Sequence, residues 1–128
     1  MTNKPNSLAV LLALLLPASL PVPLQAQESR ESIERSFNQA ANDFIACLGS
    51  TVKMGMSTKM DPQVFKEGFA KSCLEQEEAF RNATVELGLI SGRTKEDVLA
   101  EVNGNIANGR KVFAADQEEY IRTGRVPR

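Results

Sequence analysis

Cysteine and methionine are the residues whose type and spacing carry chemistry in this chain. Cys47 and Cys73 are its only two cysteines. Their separation is far from the Cys-x-x-Cys of redox catalysts, and two thiols alone cannot complete a four-ligand zinc site. The expected role is a structural disulfide, which requires an oxidising compartment. Met54, Met56 and Met60 crowd into Lys53-Met54-Gly55-Met56-Ser57-Thr58-Lys59-Met60. Thioethers are soft ligands for Cu(I) and Ag(I), so a soft-metal site at these three residues is one reading. The other is that they fill gaps and cover a turn, as flexible methionines do.

What is missing narrows the field further. The chain has no histidine and no tryptophan, and Tyr120 is its single tyrosine. Without histidine no Ser-His or Cys-His catalytic pair forms, and histidine-ligated zinc, copper and haem are excluded. No nucleophile motif, glycine-rich phosphate loop or spaced acidic ligand set is present. The expectation is a protein without a cofactor and without enzymatic activity.

Residues 1–26 have the parts of a cleavable signal peptide. Lys4 is the basic start, Leu8 to Leu16 is an unbroken apolar run, and Pro17, Pro21 and Pro23 follow before a small residue at Ala26. Nine apolar residues are too few for a bilayer span, which takes about 20, so no stable membrane anchor is expected. The leader resembles a Gram-negative Sec signal, which implies a periplasmic or secreted protein. Cleavage after Ala26 leaves a single domain over residues 27–128. Losing Lys4 leaves 14 basic against 16 acidic side chains, a net charge of −2. With no basic excess, a nucleic-acid partner is not expected.

The elements that must position the sulfur atoms are helices. From residue 28 apolar side chains recur at steps of four and three: Ile33, Phe37, Ala40, Phe44, Cys47, Thr51, Met54. Such a seam belongs to a helix packed lengthwise on another. It predicts a first helix over about 28–55. Asp61-Pro62 then offers a cap and a favoured first position. A second seam (Phe65, Phe69, Cys73, Gln76, Phe80, Ala83, Leu87, Ile90) predicts a helix over about 62–90. Gly92 suits a left-handed stop. Thr94 to Asp97 resembles a capping box and opens a third helix over about 95–121. Gly104 and Gly109 weaken that helix, at about 1 kcal/mol each relative to alanine, but its seam keeps phase across them. The expected fold is therefore all-α: an antiparallel helical hairpin clipped by one disulfide, with a third helix completing a small bundle.

Pairing Cys47 with Cys73 tests that arrangement. It sets Ile33 opposite Leu87, Phe37 opposite Ala83, Ala40 opposite Phe80 and Thr51 opposite Phe69. Large residues then meet small ones, as interdigitated packing requires. The turn falls near residue 60, where Asp61-Pro62 independently places it. Gln76 falls opposite Phe44 and is the one polar member of the seam.

The hairpin tip also gathers Lys53, Lys59 and Lys66 beside Met56, Met60 and Phe65. Adaptable apolar groups ringed by positive charge suit a protein partner or an anionic surface, and an ordinary solvated turn is the competing reading. The acidic run Glu75, Glu77, Glu78 reads as solvated charge on a helix surface. The functional expectation is an exported, non-enzymatic protein that binds another protein, in the manner of small chaperones, inhibitors or immunity proteins, an analogy at fold level only. Soft-metal binding by Met54, Met56 and Met60 is the alternative. Self-association stays open, because three helices have little seam to bury.

Overall fold

The computed structural model describes residues 24–127. Of the leader read over residues 1–26, residues 1–23 lie outside them, and Leu24 to Ala26 form the first turn of the first helix. Every regular element is helical: α1 (Leu24–Ser57), α2 (Pro62–Phe69), α3 (Leu74–Ile90) and α4 (Lys95–Thr123). No described helix is long and apolar enough to cross a membrane.

α1 ends in a tight left-handed turn. Lys59 adopts φ 50°, and Met60 N–H donates to the Gly55 carbonyl while Lys59 N–H donates to Met56. This is the paired bonding that closes helix C-termini, here on a lysine where glycine is usual. α2 starts two residues later. The Asp61 carboxylate accepts from the Gln63 and Val64 N–H groups at 2.9 and 3.2 Å, and Pro62 stands at the first helical position. α3 ends on Gly92 at φ 79°, and Thr94 Oγ1 accepts from Asp97 N–H to open α4. α4 runs unbroken through Asn103 to Gly109. Its core residues Val102, Ile106 and Phe113 keep one face throughout, and their burial outweighs the two glycines.

The disulfide is formed, with Cys47 and Cys73 Cα atoms 6.0 Å apart. The register it implied holds at Phe80, expected opposite Ala40. Phe80 lies between Phe37 and Phe44, with ring centroids 5.9 and 5.8 Å away, and Thr51 Oγ1 lies 3.8 Å from the Cys73 sulfur. Gln76 is half-buried and lines a surface cleft with Ala40, Asp43 and Ala46, so it sits at the edge of the seam.

One element differs from expectation. The second helix, read as continuous over 62–90, is divided at Ala70–Cys73. Cys73 is left-handed at φ 58°, and no side chain caps the start of α3. Phe65 and Phe69 are seated in the core against α4. The chain is divided so that α2 leans on α4 and α3 on both α1 and α4.

Candidate functional site

The tip residues divide sharply by burial. Lys53, Lys59 and Lys66 are exposed, and Met54 is 56% exposed. Met56 and Met60 are half-buried against the core, and Phe65 is buried within it. Phe65 therefore belongs to the structure of the tip and not to its accessible surface. Its ring stacks on Phe69 at 5.1 Å and packs so close to Gly55 that a Cβ there would stand 2.5 Å from the ring. Glycine at position 55 is what lets the Phe65 ring lie against α1.

Two clefts flank α2. One, of about 290 Å³, has walls that include Met54, Met60, Phe65 and Gly68. Val64, 59% exposed, stands one turn before Gly68 on the same side of α2. The other cleft, of about 420 Å³, opens between α2 and α4 over Phe69, Ala70 and Ala114, with Lys66 and Lys111 at its rim. Lys66 Nζ lies 2.6 Å from Glu118 Oε2. Both partners are about half exposed, so this ion pair is easily exchanged for another partner. Met54 and Met60 thus share a cleft, whereas Met56 is not among its walls.

Behind the tip lies a polar hub that spacing alone did not reveal. Arg110 reaches from α4 into the α2–α3 break. It donates to the Phe69 and Ser72 carbonyls at 2.8 and 2.7 Å and to Glu77 Oε2 at 2.7 Å. Its guanidinium carbon lies 5.6 Å from the centroids of both Phe44 and Phe69. The cation satisfies carbonyls freed at the end of α2 and packs on two aromatic rings at once. Glu77 also accepts from Arg81 at 2.6 Å, and Arg81 bonds Asn103 of α4. So Glu77 is not solvated charge like its neighbours Glu75 and Glu78. Burial by itself would raise its pKa, but the hydrogen bonds from Arg110 and Arg81 more than offset this and hold the carboxyl below its ordinary value.

A second inward polar residue is Gln117, fully buried on α4. Its Nε2 donates to the Met60 carbonyl at 2.8 Å, tying α4 to the α1–α2 turn, while its Oε1 has no partner. Both Arg110 and Gln117 are long-range contacts of a helix whose surface also carries many polar residues. The one signal available was their position beside the third seam. Comparison with protein-family models, with curated proteins and with solved structures returns no match for this chain.

Proposed function

We propose that this chain is an exported, non-enzymatic helical protein that binds another protein in the periplasm through the tip formed by the α1–α2 turn and α2. The observation that carries this reading is the pair Met54 and Val64. Both are large apolar side chains more than half exposed; Met54 is a wall of the cleft that Met60 and Phe65 help to form, and Val64 stands one turn before Gly68 of the same cleft. Lys53 and Lys59 are exposed on α1 and the turn that follows it, and Lys66 stands at the rim of the α2–α4 cleft. Such a surface fits an apolar segment with acidic flanks, with the methionines adapting to its shape. The leader and the disulfide favour an oxidising compartment, in line with a chaperone-, inhibitor- or immunity-like role.

A photoreactive residue placed at Met54 or Val64 in the producing cells tests it. The expected result is one dominant adduct, lost on Val64→Glu and absent when the probe stands at Glu96, at the opposite end of the bundle. Equal labelling at Met54 and at Glu96 would refute the tip as the binding surface.

Soft-metal binding is a second reading, favoured by the shared cleft of Met54 and Met60. Replacing Met54, Met56 and Met60 together by leucine then abolishes Ag(I) binding, and an unchanged titration curve removes the metal from consideration.

A further inference from the structure

We propose that the cleft between α2 and α4 binds a free single-chain amphiphile with one anionic head, a medium-chain carboxylate, its head at Lys111 and its tail lying along α4. The cleft, of about 420 Å³, has the size of a small-ligand site.

Two contacts set its direction. Lys66 of α2 bonds Glu118 of α4, and Arg110 of α4 bonds the Phe69 and Ser72 carbonyls at the other end of α2. The two helices therefore run antiparallel here. The Lys66–Glu118 pair closes one end of the cleft, and Arg110 and Lys111 stand at the other. From residue 111 to residue 118 α4 rises about 11 Å. Between the charged ends the walls are Phe69 and Ala70 of α2 and Ala114 and Ala115 of α4. Three of these four side chains stop at Cβ, which leaves a trough over the Phe69 ring. None of them can hydrogen-bond, so an alkyl chain suits the trough better than an extended peptide backbone, whose polar groups would go unpaired.

The charges on the cleft select the head. Three cations line it: Lys66, Arg110 and Lys111. Lys66 is matched by Glu118 and Arg110 by Glu77, whereas Lys111 forms no ion pair among the described residues. Its neighbours one turn away on α4, Ala107, Asn108, Ala114 and Ala115, carry no charge, so the helix itself supplies no partner. The cleft thus lacks one negative charge beside an apolar trough, and an alkyl carboxylate supplies both the charge and the filling. The methylene stems of Lys66 and Lys111 can lie against the tail while their ammonium groups stay in water. The cleft walled by Met54 is on the other flank of α2, so this site is separate from the Met54 and Val64 surface.

A heteronuclear NMR titration of the oxidised protein with decanoate and then dodecanoate, both below micelle-forming concentrations, is the test. The expected result is saturation at one molecule per chain, with shifts centred on residues 66–70 and 110–118. Each added methylene tightens binding about two- to fourfold. Lys111→Glu weakens it about fivefold, Glu118→Gln tightens it by releasing Lys66, and Ala115→Trp abolishes it by filling the trough. All three positions are exposed, so the fold is not at stake. Val64→Glu leaves binding unchanged, which separates this outcome from that of the tip surface. Equal affinity for dodecyltrimethylammonium, binding only to anionic vesicles, indifference to both Lys111→Glu and Ala115→Trp, or no saturable shifts overturns the proposal.

Discussion

Arg110 Nη2 lies 2.6 Å from Glu77 Oε2, joining α4 to α3 across a site where both side chains are nearly buried, at 14% and 13% exposure. The same guanidinium holds the Phe69 and Ser72 carbonyls, so one side chain joins α4 to both sides of the helix break. Arg110→Ala leaves a half-neutralised carboxylate and the Ser72 carbonyl without its donor, while the Phe69 carbonyl keeps the Ser72 N–H and hydroxyl. A loss of about 3 kcal/mol is expected, measured as a fall in the urea midpoint. Arg110→Lys is expected to recover only a small part, because a lysine cannot serve three acceptors in the fork geometry.

Acid sensitivity follows from Glu77. Its folded pKa lies below the ordinary 4.5, so its contribution to stability is complete above that value and is lost as pH falls through the folded pKa. Thermal melts taken from pH 6 downward are expected to show a steady loss of stability below about pH 4.5. Glu77→Gln flattens that limb. A variant with the same acid slope as the parent would show that other carboxylates carry it.

The disulfide closes a loop between residues 26 positions apart. Chain-entropy reckoning for a loop of that length gives about 3.5 kcal/mol as an upper figure. Cys47→Ser is therefore expected to lower the melting temperature while leaving far-ultraviolet dichroism helical. A random-coil spectrum would contradict a core that holds without the bond.

Glycine-to-alanine exchanges separate tight contacts from open surface. A Cβ at Gly88 would collide with Val98, and one at Gly55 with Phe65. Both exchanges are expected to destabilise by about 1–3 kcal/mol through overpacking, despite better helix propensity. Gly104 meets no neighbouring atom, so Gly104→Ala is expected to stabilise by about 1 kcal/mol. Chemical denaturation of the three variants side by side checks the contrast.

Much of this architecture is written in local pattern. The seam of Val102 to Tyr120 names the buried face of α4, because apolar spacing at the helical period is a property of neighbouring residues, whereas on α1 the seam finds Phe44 but passes over the buried Leu48 and Val52 and ends on Met54, which is 56% exposed. Asp61, Pro62, Gly92 and Thr94 mark the turns by backbone rules that act within four residues. Cys47 and Cys73 added one long-range constraint, and it was enough to set the register of α1 against α3. The break at Ala70–Cys73 was not legible, because the apolar period runs straight through it. It goes with the packing of Phe65 and Phe69 on α4 and the left-handed Cys73, which depend on a distant helix. Phe65 is buried in that packing, although its place beside three lysines suggested a surface. Arg110 bonds residues 33 to 41 positions away, and Gln117 bonds Met60 at a separation of 57. Polar side chains on a helix look alike until a neighbouring helix supplies their partner, so these ties were decided by tertiary packing alone.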